Sequence, residues 1–557
     1  MTDLRRALLW GIFSVSLVML WDGWNRHNGQ PSMFAPPVTA PATPQAGASS
    51  VPAPVATAAV AAASAAAPGA VPATQAVPPA GERFVVTTDL VKATFDTRGG
   101  SLVRVELLHQ KDGNGHMVVL DQSAQRLYVA ETGLVAAGAP GAVPDHTTVM
   151  KPTTDARALA DGQDSLAIGF EASSAAGIKL VKTYTFQRGS YAVGVKHEVS
   201  NAGAAAVQPQ LYLQLVRDGN PLPDESSFYS TFTGPAIYTD ADKYQKVEFK
   251  DIEKRKAGDK PSHAARAENG WVAMVQHYFA AAWLPTGNAP RDFYTRKVSD
   301  NLYSVGMLMP LGELAPAAST SVEARLFVGP QQEKALEALA PGLELVKDYG
   351  WLTILAKPLF WLLDKLHGLL GNWGWSIVAL VVLLKIAFYW LNASAYRSMG
   401  KMKAINPKIQ EMRERLKDKP QQMQQEMMRI YREEKVNPIG GCLPIFVQMP
   451  FFIALYWVLL SSVEMRGAPW LGWVTDLSVK DPYFILPLLM TATTVLQTWL
   501  NPTPPDPVQA KMMWIMPLAF SVMFFFFPAG LVLYWFVNNL LSIAQQWAIN
   551  RSLGLNK

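Results

Sequence analysis

The chain has 557 residues, of which 50% are hydrophobic and 17% charged, with a net charge of +5 and one cysteine. One cysteine excludes an internal disulfide framework. The small net charge, with basic residues that flank apolar segments, argues against a specific nucleic-acid binder. The length exceeds one ordinary domain, and the apolar residues concentrate in the last third.

The N-terminus carries two arginines before an apolar run over residues 7–21. Signal peptides and signal anchors share this layout. Because no small-residue cleavage site follows immediately, we expect a retained transmembrane anchor over residues 1–29. Residues 30–81 are mostly Ala, Pro, Val, Thr and Ser, which predicts a disordered linker.

Residues 82–342 contain many short β-rich runs separated by Gly, Asn and Asp turns. Two runs break at Arg98-Gly99-Gly100, and an alternating pair is joined around Arg188-Gly189-Ser190. This pattern predicts a large antiparallel β-sandwich. Its histidines lack the spacing of metal ligands, so we predict no metal and no cofactor.

Residues 343–372 mix helically spaced leucines with charged side chains. We expect an amphipathic helix at the membrane interface, with a first span of the bundle as the alternative. Five apolar segments of roughly 18–25 residues then follow, long enough to cross a bilayer. They are residues 373–396, 440–463, 483–500, 511–527 and 529–549.

With the anchor, the sequence predicts six transmembrane helices, five of them in a C-terminal bundle over residues 373–557. Basic residues flank the first span, fill residues 397–437 and end the chain. Because such residues face the cytoplasm, both termini and the basic segment are predicted to be cytoplasmic. The β-sandwich then faces outward, into the periplasm of a double-membrane bacterium.

Lys385 lies in the middle of the apolar segment 373–396. A charge at the centre of a membrane helix costs about 2.5–3.5 kcal/mol and usually marks a functional site. It lies about twelve residues, or some 18 Å, from either end of that segment, too far for its stem to reach water. We therefore predict a wet, positively charged cavity, with Gln448, Asn538 and Asn539 as polar groups that either line it or bond neighbouring helices.

Residues 397–437 read as two helices that turn near Asp418-Lys419-Pro420. Their apolar side chains, including Met402, Met412 and Met427, recur every three or four residues. An ordinary antiparallel seam explains this spacing. A flexible methionine surface for varied apolar partners is the alternative.

The phenylalanine run Phe524–Phe527 predicts a surface that faces lipid or an apolar partner. The sequence contains no phosphate-binding G-x-x-x-x-G-K-[ST] loop, no H-E-x-x-H and no G-x-S-x-G. These absences argue against an ATP-driven machine or a familiar hydrolase. We therefore expect that the chain is not an enzyme.

Several segments resemble the YidC family of bacterial membrane protein insertases. They are "MGKMKAINPKIQEMRERLKDKPQQ", "EKVNPIGGCLPIFVQMPFFIALYW", "DLSVKDPYFILPLLM" and "FFFFPAGLVLYWFVNNLLSIAQQW". "TRGGSL" and "GWVAMVQHYFAAAWLP" resemble the large periplasmic domain of Gram-negative members.

The resemblance implies an inner-membrane protein that inserts and helps fold other membrane proteins, alone or with the Sec translocon, without nucleotide hydrolysis. It places Lys385 where the family usually has an arginine in a hydrophilic groove, and Trp535 where a client-contacting tyrosine is common. It also implies nascent membrane proteins and the lipid bilayer as partners, and the ribosome and signal recognition machinery at the hairpin.

Two other functions fit parts of the pattern. A secondary transporter or channel could use Lys385 in an ion path, although no internal repeat pairs the spans. A membrane-anchored carbohydrate binder would use the β-sandwich, but a simple anchor needs neither five further spans nor a buried charge.

Overall fold

The computed structural model describes residues 81–552, apart from residues 114, 137–140, 223–230, 257, 417–418, 435–442 and 502–506. The predicted anchor and nearly all of the predicted linker therefore lie outside the described residues. Two compact units meet in the chain between Lys347 and Asp348. The first is a β-domain and the second is helical.

The β-domain is built from antiparallel strands that alternate along the chain with short turns. Its described strands are β1 Arg83–Thr87, β2 Val91–Asp96, β3 Ser101–Asp112, β4 Gly115–Val118, β5 Asp121–Gln122, β6 Leu127–Val135, β7 Lys151–Pro152, β8 Ser165–Ser173, β9 Ile178–Gln187, β10 Ala192–Asn201, β11 Gln210–Asp218, β12 Gly234–Thr239, β13 Lys243–Lys246, β14 Arg266–Ala267, β15 Trp271–Val275, β16 Phe279–Pro285, β17 Arg291–Ser299, β18 Leu302–Pro310 and β19 Ser319–Pro330.

These strands form two sheets. The first has the order β1-β2-β3-β6-β11-β18-β17-β14, with β4 beside β3 and β5 beside β6. The second has the order β13-β12-β15-β16-β19-β10-β9-β8-β7. The predicted large antiparallel β-sandwich is confirmed.

The turns expected from the sequence lie where glycine is needed. Gly99 and Gly100 have φ of +70° and +52° between β2 and β3, a region in which a Cβ is strained. Gly189, with φ of +72°, lies in the turn from β9 to β10. Those two strands pair from Ile178 with Asn201 to Thr185 with Gly194, so the alternating pattern gave the correct hairpin.

A buried polar contact links the two sheets. The Lys182 amine on β9 donates to the carbonyls of Gly99 and Thr132, at 2.7 and 2.6 Å. The Thr132 hydroxyl lies 2.9 Å from Nε2 of His197 on β10. Lys182 and His197 are 0% and 1% exposed. Because buried polar groups cost free energy unless they are hydrogen-bonded, these bonds account for two polar side chains in an apolar core.

Short helical segments pack against the strands of the β-domain. Helix α1 is Phe249–Lys254, α2 is Glu333–Leu339, and a 3₁₀ turn follows at Leu343–Val346. Leu336 and Leu343 are buried against Trp271 and Tyr238, whose rings stack at 5.5 Å. The Trp271 indole also donates to the Pro341 carbonyl at 3.0 Å. The chain after β19 therefore belongs to the core of the β-domain.

The helical unit contains the apolar segments of the last third of the chain. Its described helices are α3 Thr353–Leu370, α4 Trp373–Ala387, α5 Tyr389–Arg415, α6 Pro420–Glu433, α7 Leu443–Ser461, α8 Ile485–Leu500, α9 Pro507–Met523 and α10 Ala529–Ser552. Helix α3 packs against α4 and α7, and α10 packs against α4, α5, α7 and α8.

The apolar segment 373–396 is not one straight helix. It bends by 64° between α4 and α5, at Phe388, whose φ and ψ are −93° and 9°. The Phe388 N–H still donates to Leu384, and its ring meets Phe451 of α7 edge-on at 5.1 Å. Lys385 therefore lies three residues before a bend, not at the middle of a continuous span.

Among the described residues, no single helix has both the length and the apolar composition needed to cross a membrane. The bent pair Trp373–Ala387 and Tyr389–Met402 passes this test when its two halves are taken together. Shorter apolar helices occupy Val447–Ser461, Ile485–Leu500 and Ala510–Phe526. The number of spans stays a prediction.

The phenylalanine run does not form one exposed surface, which corrects the sequence-based expectation. Phe524 and Phe527 are each 7% exposed, whereas Phe526 is 48% exposed. A 3₁₀ turn over Phe524–Phe526 separates α9 from α10. Phe524 consequently packs edge-on against Trp535, at 5.4 Å.

Candidate functional site

Helix α4 carries Lys385 and is fixed at its first turn. The Asn372 side chain accepts a hydrogen bond from the Trp375 N–H at 3.0 Å, a favourable N-cap. The same side chain donates to the Pro469 carbonyl at 3.0 Å. After Ser376, an uninterrupted apolar run over residues 377–384 extends the helix to Lys385, near its C-terminal end.

Lys385 is half-buried and reaches across to α10. Its Nζ donates to the Ser542 hydroxyl at 2.6 Å, and that hydroxyl donates to the Asn538 carbonyl at 2.7 Å. The Tyr396 hydroxyl of α5 lies beside Ser542. In the described part of the chain, no acidic side chain forms an ion pair with Lys385. Three helices thus meet at one amine and two hydroxyls.

A cavity of about 490 Å³ opens at this amine. Its lining residues come from α4, the start of α5, and α10: Val382, Lys385, Ile386, Tyr389, Leu541, Ala544, Gln545 and Ala548. Most of the lining is aliphatic. The polar exceptions are the Lys385 amine, the Tyr389 side chain and the Gln545 amide, which donates to the Tyr389 carbonyl at 3.3 Å. Such a cavity suits an apolar segment that bears one acceptor group.

The other predicted groove residues lie elsewhere in the helical unit. Trp535 packs against Phe452 at 4.2 Å between ring centroids. Asn539 is 7% exposed and donates to Thr494 of α8 at 3.0 Å, and Gln448 is half-buried on α7. Of this predicted group, Lys385 lines the cavity, and Asn538 contributes its backbone carbonyl to the Ser542 contact.

Sequence reasoning missed Ser542, Tyr396 and Gln545. A serine or glutamine in an apolar helix is too common to stand out, and the partner helix is unknown from sequence. One signal was available, because residues 535, 538, 542 and 545 follow the spacing of one helical face. From that spacing, Ser542 and Gln545 could have been predicted to lie on the same side of the helix as Trp535 and Asn538.

The methionines of the hairpin lie in its seam. Met412 is 3% exposed and packs with Ile405 and Ile409 of α5, and Met402 and Met427 pack against this cluster. Ion pairs such as Lys408 with Glu434 lie on the surface, where they contribute about 0–1 kcal/mol. The apolar seam is therefore the main contact between α5 and α6.

Comparison with known proteins covers both units. Residues 83–362 match the family model of the YidC periplasmic domain, and residues 365–556 match that of the 60Kd inner membrane protein. A membrane protein insertase YidC of Cupriavidus metallidurans is 59% identical over 559 residues, covering 100% of this chain and 99% of that protein. The chain belongs to the YidC family of membrane protein insertases.

Another YidC protein shows the same full-length match. The membrane protein insertase YidC of Ralstonia nicotianae is 57% identical, covering 100% of this chain and 99% of its own length. A solved structure of an active YidC insertase, with its first transmembrane domain resolved, is 18% identical with a TM-score of 0.37. It covers 83% of this chain and 91% of that one.

Membership of the YidC family makes this chain an inner-membrane protein with a periplasmic domain. The two family models meet between residues 362 and 365, within α3. The compact units instead divide at Lys347, so the YidC periplasmic model includes the first part of a helix that packs with the helical unit.

Proposed function

We propose that this chain inserts membrane proteins into the inner membrane and helps them fold, with Lys385 as the electrostatic contact for the client, the protein being inserted. The observation that carries the proposal is the Lys385 amine at a mostly aliphatic cavity, bonded to a hydroxyl and not to a carboxylate. The full-length relatives named membrane protein insertase support the same activity.

The proposed step uses two free energies. An acidic residue in the client's hydrophilic tail costs about 2.5–3.5 kcal/mol at the bilayer centre. A cation in a low-dielectric site attracts that carboxylate more strongly than in water, which lowers the cost. The client's apolar segment then partitions into lipid, with about 0.8 kcal/mol gained per buried CH₂. This gain drives insertion without nucleotide hydrolysis.

The proposed topology has six membrane spans with both termini in the cytoplasm. The basic residues between 397 and 437 support a cytoplasmic hairpin, which is the proposed contact for the ribosome and signal recognition machinery. Clients arrive either directly or through the Sec translocon. The side chains Gln448, Trp535, Asn538 and Asn539 remain proposed client contacts.

The test is insertion of a single-span client with an acidic tail into nucleotide-free liposomes that contain only the purified protein. Protease protection of the client reports insertion. Wild type and Lys385→Arg are expected to insert it, whereas Lys385→Glu fails because it repels the tail. Lys365→Ala is the matched control, since Lys365 lies on α3 and its amine is 6.0 Å from the Trp361 ring.

Two outcomes would contradict the proposal. Equal insertion by Lys385→Ala, Lys385→Glu and wild type would remove the electrostatic role of Lys385. No protection above empty liposomes, together with proton or ion flux that depends on Lys385, would favour a transporter or channel instead.

A further inference from the structure

The Lys385 amine is held by a hydroxyl whose own proton is already committed. Ser542 donates its hydrogen to the Asn538 carbonyl at 2.7 Å, one helical turn earlier on α10. The oxygen that faces Lys385 therefore offers lone pairs only, and accepts from Nζ at 2.6 Å. A carboxylate needs a donor, so a client acid that enters the cavity can bond to the amine but not to Ser542.

This contact fixes an otherwise mobile charge. A lysine stem has four carbons and many rotamers, so an unbonded ammonium samples many positions. With one N–H bonded to Ser542, the ammonium is held on the α10 side of the cavity, and two N–H groups remain to bond a client. Because this bond is charge-assisted, it is stronger than a bond between neutral groups and favours one rotamer of the stem.

Ser542 is itself held in place. It is 4% exposed, its side chain is tied to its own helix, and Tyr396 of α5 lies beside it. The amine therefore has a defined position relative to three helices. Without the hydroxyl, the stem of Lys385 samples other rotamers and the charge is spread over a larger part of the cavity.

We infer that Ser542 is a positioning residue that fixes the Lys385 ammonium and thereby determines which position of an acidic residue in a client tail is favoured. This inference rests on the proposed function of Lys385 and adds a specificity to it.

The test compares clients that carry Asp or Asn at successive tail positions, with the full chain in liposomes. The measured quantity is the ratio of Asp-client to Asn-client insertion at each position. Wild type is expected to show a peak at one or two positions. Loss of one charge-assisted bond in Ser542→Ala lowers that peak about threefold or more, whereas Ser542→Thr, which retains the hydroxyl, keeps it.

A matched control separates positioning from packing. Ser521 of α9 is 2% exposed and donates to the Pro517 carbonyl at 2.8 Å, the same bond within a helix but without a lysine. Ser521→Ala is expected to leave the peak unchanged. In a Lys385→Met background, Ser542→Ala is expected to have no further effect on the ratio, because it acts through the amine.

The outcomes distinguish this inference from the proposed function. If wild type shows no Asp preference at any position, the electrostatic role of Lys385 fails and the inference fails with it. If wild type has a peak that Ser542→Ala retains in full, the positioning role is wrong and the role of Lys385 stands. If Ser542→Ala reduces insertion of the Asp and Asn clients equally, the positioning role is also wrong, because an equal reduction indicates a packing defect. Should Ser542→Ala not reconstitute, Ser542→Cys replaces it, with the same loss of the peak expected.

Discussion

Lys182 makes the stability of the β-domain depend on pH. Burial lowers the pKa of its amine from 10.5 to about 7 in the folded protein, although Asp145 and Glu131 oppose the shift. Between these two pKa values the unfolded chain binds more protons, so the free energy of unfolding rises with pH. One proton contributes about 1.4 kcal/mol per pH unit. Because the amine is half-protonated near pH 7, the free energy of unfolding is expected to rise by about 2 kcal/mol from pH 7 to pH 9.

The assay is urea unfolding of the β-domain in the full chain, reconstituted in nanodiscs and followed by pulse proteolysis. Lys182→Met keeps an apolar stem but removes the titrating group, so its stability should not rise between pH 7 and pH 9. It also leaves the carbonyls of Gly99 and Thr132 without their donor, at a cost of about 1–3 kcal/mol. Lys179→Met is the control, because Lys179 lies on the same strand but pairs with Glu171 at the surface.

One result would refute this reasoning. If Lys182→Met shows the full pH-dependent gain of the wild type, another group carries it and the buried amine does not change its charge in this range. If Lys179→Met loses the rise in stability between pH 7 and pH 9, the pH dependence comes from surface charge and not from the buried amine.

Three further predictions concern other buried groups. Burial lowers the pKa of His197 to about 3 in the folded protein. As the pH drops below about 6.5, the unfolded chain takes up a proton at this histidine and the folded protein does not, so the free energy of unfolding falls. Pulse proteolysis should show that His197→Gln removes this loss of stability. Met412→Ala empties the hairpin seam at a cost of about 2–5 kcal/mol, so hydrogen exchange of the peptides from α5 and α6 should increase. Asp481→Ala removes the acceptor of the Leu486 N–H at 2.7 Å in the first turn of α8; thermal unfolding in detergent should report a loss of about 0.5–2 kcal/mol.

The β-domain was predictable at the level of local pairing. Apolar and polar residues alternate from Ile178 to Asn201, with a glycine between the two runs. This pattern predicts a β-hairpin, which the structure contains. The order of the sheets was not predictable in this way. Strand β6 pairs with β11 and β11 with β18, contacts across long stretches of sequence that no local pattern encodes.

In the helical unit, hydropathy located Lys385 but not its surroundings. The bend at Phe388 has no Pro or Gly near it, the usual signals of a kink, and its ring contact with Phe451 depends on tertiary packing. The same limit applies to Ser542, whose contact with Lys385 joins residues 157 positions apart in the chain. A charged residue stands out in an apolar sequence, whereas the serine that accepts its hydrogen bond does not.

The position of β19 has a consequence for the order in which the β-domain can be completed during synthesis. This last strand lies between β16 and β10 in the second sheet. Until residues 319–330 have left the ribosome, that sheet exists only as two four-stranded pieces, β13-β12-β15-β16 and β10-β9-β8-β7, each with an open edge. A nascent chain that stops before Ser319 therefore exposes two unpaired strand edges, on β16 and β10, which are sites for aggregation. Closure of the second sheet therefore waits for its last strand, which precedes the helical unit in the chain.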